Sequence, residues 1–361
     1  MRSLSNVMRF WNRQNGLIGI DITSVTVKLL ELKPAGHSYQ VESYAVRPLP
    51  DGTVDERRIQ DIDAVADVLG RAVKHARPST RKAAVAVPAS SAITKTLLLP
   101  ASLSEEEIEA RIISESDHHI PFPFNEVAFD FYCLGPSALN EDEQRVLLVA
   151  CRHQDISQLT DTLELAGLEP VVVDVESFAM ERAFEVLRQQ LGERSRDPDA
   201  CIGLVDVGAT MNAFHVMRGE NIVYSRDTVF GGRRLTDAIC HRYDMSVQQA
   251  GYAKKHGGLP DDYQTEVLEP FLDTIVQQVG RSLQLYYSAG RHHEVREIVL
   301  AGGSSVLPGL AERIAADSGM QVTVANPFAR MAVSRHIDRD ALTSDAPAML
   351  TACGLAMRKP Q

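Results

Sequence analysis

The chain is poor in cysteine and in net positive charge, and it has no long apolar run. Its five cysteines, Cys133, Cys151, Cys201, Cys240 and Cys353, are scattered over 361 residues with no Cys-x-x-Cys pair. An odd, dispersed set excludes a disulfide framework and a cysteine zinc site, and fits reduced thiols in a cytoplasm. No stretch approaches the roughly 20 apolar residues of a spanning helix, so no membrane span is expected. The opening stretch "MRSLSNVMRFWNRQNG" lacks the apolar centre of a signal peptide. Its arginines and tryptophan suit a short amphipathic anchor, and a frayed terminus is the simpler reading. The formal net charge of −11 excludes a general nucleic-acid-binding face. It leaves room for a small basic phosphate pocket.

What is present is an alternation of strand-like and helical runs. "LIGIDIT", "TVKLLEL" and "YQVESYAV" read as strands, "DIDAVADVLGRAVKHA" as an amphipathic helix and "KAAVAVPAS" as a buried strand. Such alternation predicts an α/β sheet. A segment of different character follows, with a strand, a helix started by a Ser104/Glu107 capping box, the breaks at Pro121 and Pro123, and further strands. It reads as a β/α subdomain at 93–165 inserted into a first domain at 1–92 and 166–194. "GERSRDPDA", punctuated by Pro198, is the best linker. A second domain is expected at 195–244 and 284–361, with a helical insertion at 245–283.

After the linker the opening pattern returns. "GIDITSVTVKLLEL" and "LVDVGATMNAFHV" both place an aspartate in an apolar strand, then a turn of small or hydroxyl residues, then a second strand. Asp21 aligns with Asp206, Thr23 with Gly208 and Ser24 with Ala209, an internal duplication. A carboxylate in a sheet needs a partner. One tight turn is only a hairpin, and an aspartate beside it could simply cap it. Two facing turns, Ile22–Thr23–Ser24 and Gly208–Ala209–Thr210, make a backbone cradle for a polyphosphate. Asp21 and Asp206 would then hold Mg²⁺ directly or through its waters, since magnesium takes few carboxylates. "EIVLAGGSSVLPGLAERIAADSG" adds a third signal: Gly302, Gly303 and Ser304 form a turn after an apolar strand, with a helix N-terminus near Pro308 that favours anions.

Two such hairpins and a Gly-Gly turn, in this order, resemble the actin-like ATPase superfamily, which includes actin, sugar kinases and the division protein FtsA. The further stretches "HIPFPFNEVAFDF", "VVVDVESFAMERAF" and "GGRRLTDAICHRYDMSVQQAGYAKK" resemble the PilM family of type IV pilus assembly proteins, over nearly the whole chain. The resemblance implies a duplicated, ribonuclease H-like α/β fold of two domains with an FtsA-type inserted subdomain, and ATP with Mg²⁺ in the interdomain cleft. It implies Gly231, Gly232 and Lys254 beside the nucleotide, and Glu176 as a residue that orients attacking water or simply starts its helix. Lys28 could reach a phosphate, although an outward-facing lysine is the plainer reading. Arg233 and Arg234 read as surface residues. Gly251 replaces a common glutamate, and Thr23 a common glycine, leaving a hydroxyl near the phosphates. The histidine pairs His118–His119 and His292–His293 lack metal-ligand spacing.

By the same resemblance the partner is the N-terminal cytoplasmic segment of PilN, held between the first domain's core and its inserted subdomain. That places the protein at the inner face of the cytoplasmic membrane, serving pilus biogenesis and twitching motility, as at most a slow ATPase. Phe122, Phe124, Phe129 and Phe131 either shape that groove or fill the subdomain's own core. Two alternatives stand beside this reading. One is a small-molecule kinase, with Asp174 or Glu176 as base. The other is a filament-forming, self-associating protein of the actin kind.

Overall fold

The structure, a computed structural model, describes residues 16–36, 38–55, 57–137, 140–197, 199–290 and 293–358. The N-terminal stretch up to residue 15, Pro198 of the expected linker and His292 lie outside the described residues.

Strands β1 (Ile18–Ile22), β2 (Thr26–Ala35) and β3 (Ser38–Pro48) form an antiparallel meander. Helix α1 (Ile62–Ala76) starts at Asp61, whose carboxylate accepts from the Ala64 N–H. Val65, Leu69, Ala72 and Val73 recur at helical spacing and are buried on the sheet. The helix leads to β4 (Lys82–Val87), parallel to β1.

The insertion comes next. Strands β5 (Ala92–Pro100), β6 (Val127–Pro136) and β7 (Glu143–Arg152) form a separate sheet with β7 in the middle. Its helix α2 (Glu105–Ser114) carries the capping box: Ser104 Oγ accepts from the Glu107 N–H, and Glu107 accepts from the Ser104 N–H. The helix packs Ile108 and Ile112 on Leu97, Leu99, Val146 and Leu148.

Helix α3 (His153–Leu165) departs from the expected boundary at 165. Leu159 and Leu163 pack with Leu69, Val73 and Val85 in the first domain's core. The reason is topological. The next strand, β8 (Glu169–Val175), lies parallel to β4, and parallel neighbours need a crossover helix on the sheet. The inserted body therefore ends near Arg152.

Helix α4 (Glu176–Arg188) follows directly. The second domain repeats the plan with a meander of β9 (Cys201–Val207), β10 (Asn212–Arg218) and β11 (Asn221–Thr228). Helices α5 (Gly232–Tyr243), α6 (Val247–His256) and α7 (Glu269–Ser288) lead to β12 (Val295–Ala301), parallel to β9. Helix α8 (Leu310–Ser318) and β13 (Gln321–Val324) complete the sheet. Helix α7, expected to lie mostly in an insertion, buries Leu272, Ile275, Val279 and Leu283 against Val205 and Leu300. It is the second domain's own crossover helix, and only the segment before it stands apart.

The two sheets share one order, β3-β2-β1-β4-β8 and β11-β10-β9-β12-β13. The chain then returns to the first domain. Strand β14 (Ala332–Val333) pairs with Gln40 and Val41 of β3. Past helix α9 (Arg339–Asp345), helix α10 (Leu350–Ala356) lies across α4. At Gly354 a β-carbon would come within 1.7 Å of Ala179 O, so only glycine permits the approach. One core cluster joins both domains, including Leu30, Phe184, Leu204, Met217 and Leu350.

Candidate functional site

The central strands β1 and β9 end side by side, and their turns meet. Ser24 Oγ on the first turn and Thr210 Oγ1 on the second are 3.1 Å apart. Beside them opens a cleft of about 680 Å³ between the domains, a volume typical of a small-molecule site. Asp21, Ile22, Thr23, Ser24, Asp206, Gly208, Ala209, Thr210, Gly232, Lys254, Gly302, Gly303, Ser304 and Glu176 all border it.

Gly231 is the exception among the expected residues. A β-carbon there would stand 2.4 Å from Ala209 O, so it seats the second turn from behind. The N–H groups of Gly232 and Arg233 donate to Gly208 O and Ala209 O, tying the start of α5 to that turn. Thr23 borders the cleft and has a local role as well. Its hydroxyl donates to Thr26 O at 3.0 Å and accepts from the Thr26 N–H at 3.1 Å, so it closes its own turn.

Lys28 overturns the expectation of an outward-facing residue. It is buried, and its Nζ is 2.7 Å from Asp21 Oδ2. The two residues stand directly opposite in the β1–β2 register and so share one face of the sheet. Asp21 thus already has the partner that a buried carboxylate requires. Asp206 does not: among the described residues nothing forms a hydrogen bond or ion pair with its carboxylate. Burial pushes its pKa up, with Lys28 and Arg57 pulling against it and Asp21 and Asp227 adding to the rise.

The Gly-Gly turn packs against Asp206. Gly302 holds a left-handed backbone, φ 87°, and a β-carbon there would come 2.3 Å from Asp206 Oδ1. The N–H of Gly302 donates to Pro347 O and that of Ser304 to Val207 O. Helix α8 begins only at Leu310, which does not border the cleft, so its N-terminus is not the expected anion site.

Glu176 heads α4 and faces the cleft, where its carboxylate pairs with the Arg57 guanidinium. Burial raises its pKa. Arg57 opposes the rise, and Asp21, Asp206 and Asp227 add to it. The sequence reading did not find Arg57, which stands at a turn with no periodic or motif signal.

A family model for type IV pilus assembly protein PilM matches residues 19–360. The chain belongs to the PilM family. A solved PilM–PilN type IV pilus biogenesis complex is similar at 26% identity and TM-score 0.78, covering 96% of this chain and 99% of that one. The ethanolamine utilization protein EutJ from Carboxydothermus hydrogenoformans is similar at 14% identity and TM-score 0.55, with 94% and 89% covered. With the duplicated sheets, these likenesses make the fold actin-like.

Other features of this PilM-family chain arrange themselves around the cleft. Lys254 Nζ donates to Thr236 Oγ1 at 2.9 Å and to Gly232 O at 3.4 Å, and burial lowers its pKa while Asp237 opposes. Gly251 and Arg233 border the cleft, and Arg233 pairs with Asp51 of the first domain at 3.1 Å. Arg234 stacks on Phe230. Asp174 is held by Arg182 and Arg358 and does not border the cleft, which removes it as a kinase-type base. Among the described residues no group of three or more His, Cys, Asp or Glu side chains is placed to hold a metal by itself. The cleft itself offers the carboxylates of Asp21 and Asp206. It is compatible with magnesium, which takes one or two carboxylates together with phosphates.

In the inserted subdomain, Phe129 and Phe131 pack against its core, and Phe124 packs with Ile120 and Val127. Phe122 is exposed beneath Arg152. The sheet face away from α2 carries Leu98, Tyr132 and Leu134, with Tyr132 69% exposed. It runs toward Val149 and Ala92, which pack on the first domain's core. No described helix is long and apolar enough to cross a membrane.

Proposed function

We propose that the protein binds ATP with Mg²⁺ in the interdomain cleft and the N-terminal cytoplasmic segment of PilN between the first domain's core and its inserted subdomain. It thereby acts in type IV pilus assembly and twitching motility at the inner face of the cytoplasmic membrane. The observation that carries the nucleotide reading is the meeting of the two duplicated turns, with the carboxylate of Asp206 beside them and the Gly-Gly turn closing the site. Asp206, and Asp21 once drawn from Lys28, would hold magnesium through its waters. The ion supplies counter-charge to the phosphates. Glu176, at the head of α4 and bordering the cleft, would orient water, and its pairing with Arg57 agrees with slow turnover and a mainly conformational role for the nucleotide.

The partner reading rests on the similar PilM–PilN complex and on the apolar face of Leu98, Tyr132 and Leu134, which suits an extended peptide. Two measurements test the whole. ATP, ADP or a non-hydrolysable analogue with Mg²⁺ at ~100 times Kd stabilises the native state by ~2.7 kcal/mol, visible as a thermal shift. A PilN N-terminal peptide binds by calorimetry at roughly micromolar Kd, about −8 kcal/mol. No shift with any nucleotide defeats the first claim. No peptide binding, together with unchanged membrane recruitment after deleting the PilN segment, defeats the second.

A further inference from the structure

Arg57 stands at the turn of a short clip, Val54–Asp55 against Arg58–Ile59. Val54 and Ile59 are buried in the first domain's core, and the N–H groups of Gln60 and Asp61 donate to Thr53 O at the clip's base. The anchors are firm, while the turn residue itself holds a left-handed backbone, φ 64°. A β-carbon disfavours that region, so the surroundings must hold it there. The tight hairpin turn calls for it, and the side chain is engaged by charge. The guanidinium pairs with Glu176, and the carboxylates of Asp206, Asp227 and Asp21 act on it from the other strands around the cleft. Of the other basic groups that border the cleft, Lys28 is committed to Asp21, Arg233 to Asp51 and Lys255 to Asp345, while Lys254 donates to Thr236 and Gly232 O. Arg57 is therefore the counter-charge shared by carboxylates from β1, α4, β9 and β11, and it reaches them from a separate element.

We propose that Arg57 senses the terminal phosphate of the nucleotide: it holds Glu176 in the absence of a γ-phosphate and exchanges that carboxylate for the γ-phosphate when a nucleoside triphosphate binds. The proposal rests on the nucleotide reading above and deepens it. A guanidinium fork matches carboxylate and phosphate equally well, so the exchange replaces one paired anion by another of higher charge. A diphosphate has no such group to compete with Glu176, and the Arg57–Glu176 pair persists. Triphosphate and diphosphate states then differ in whether α4 is tied through its first residue to the clip. This gives the cleft two conformational states without requiring fast hydrolysis.

The experiment uses the full chain and measures the Kd of Mg²⁺–ADP and of a non-hydrolysable Mg²⁺–ATP analogue by calorimetry. The proteins are wild type, Arg57→Gln, Glu176→Gln and the double variant. The expected result for Arg57→Gln is a loss of roughly tenfold or more for the analogue, with ADP changed by less than about threefold, as for one charge-assisted contact. Glu176→Gln should tighten the analogue only when Arg57 is present, because the arginine then starts unpaired. A merely structural arginine would weaken both nucleotides together and show no dependence on Glu176. Either that pattern or an unchanged ratio of the two affinities overturns the proposal and leaves the nucleotide reading standing. Failure of wild type to bind either nucleotide overturns both. Should Arg57→Gln fail to fold, Arg57→Lys keeps the charge without the fork and carries the same comparison, with a smaller loss expected.

Discussion

Ser24 and Thr210 touch hydroxyl to hydroxyl at 3.1 Å, one on each domain's first turn. Such a contact contributes only about 0.5–1.5 kcal/mol net, so it marks where the turns meet without locking them. Ser24→Ala should therefore leave both stability and nucleotide affinity near wild type. Ser24→Asp sets a carboxylate where phosphates are proposed to lie. It should abolish Mg²⁺–ADP binding while the circular dichroism spectrum stays unchanged. Undiminished calorimetric binding by Ser24→Asp would mean that phosphates do not pass these turns.

The two aspartates should behave differently despite their duplicated origin. Asp21→Asn leaves Lys28 buried without its partner, which costs about 3–5 kcal/mol. Asp206→Asn removes a carboxylate that burial already disfavours, so stability should hold or rise. Both should weaken Mg²⁺-dependent nucleotide binding. Urea denaturation of the two variants checks the contrast, and Asp21→Asn combined with Lys28→Met should regain most of the lost stability. Equal stability of the single variants would contradict the pairing.

The neighbouring glycines offer a similar contrast. Gly302→Ala forces a β-carbon against Asp206 and Val207 O at a left-handed φ, and should lower the melting temperature. At Gly303 a β-carbon meets nothing within 4 Å. Gly303→Ala should keep the fold and lose nucleotide affinity through steric exclusion of the ligand alone. Differential scanning fluorimetry with and without ADP separates the two effects, and a Gly303→Ala protein that binds ADP normally would remove this turn from the site.

His215 gives the chain a pH dependence. It is buried on β10 with its Nδ1 2.9 Å from Ser225 Oγ, and burial lowers its pKa from 6.5 to about 4. Asp227 opposes that shift and Arg57 reinforces it. The unfolded chain thus takes up a proton that the folded chain refuses. The stability due to neutral His215 is complete above pH 6.5 and is lost as pH falls toward 4, by about 3 kcal/mol in all. His215→Gln should flatten the curve over that interval, read as the difference in urea midpoints between variant and wild type. Parallel curves would show that His215 titrates normally.

Much of the fold was legible because strand alternation and helical periodicity are local. The duplication could be read from two aspartates because each sits at the same distance from its turn. Lys28 was misread although a signal existed: counting outward from the turn, Ile22 opposes Val27, which puts Lys28 opposite Asp21 on the same face. Arg57 offered no such signal, since a turn residue's direction depends on where its anchors, Val54 and Ile59, are buried. The boundaries at α3 and α7 slipped for a related reason. Their amphipathic patterns show that each helix buries a face, and only the pairing of distant parallel strands shows against which sheet.

The return of the chain to β3 has a temporal consequence. Ser334, next to β14, bonds Glu42 of β3 across 292 residues of sequence. On a ribosome adding ~5–20 residues per second, β3 emerges on the order of 15–60 s before the strand that covers its edge. During that interval the nascent first domain presents an uncapped sheet edge, an invitation to foreign strands. Its newborn core also lacks α10, which emerges later still. A chain halted before residue 332 should therefore harm the domain made first more than the domain made last, the reverse of what N-terminal-first folding would suggest.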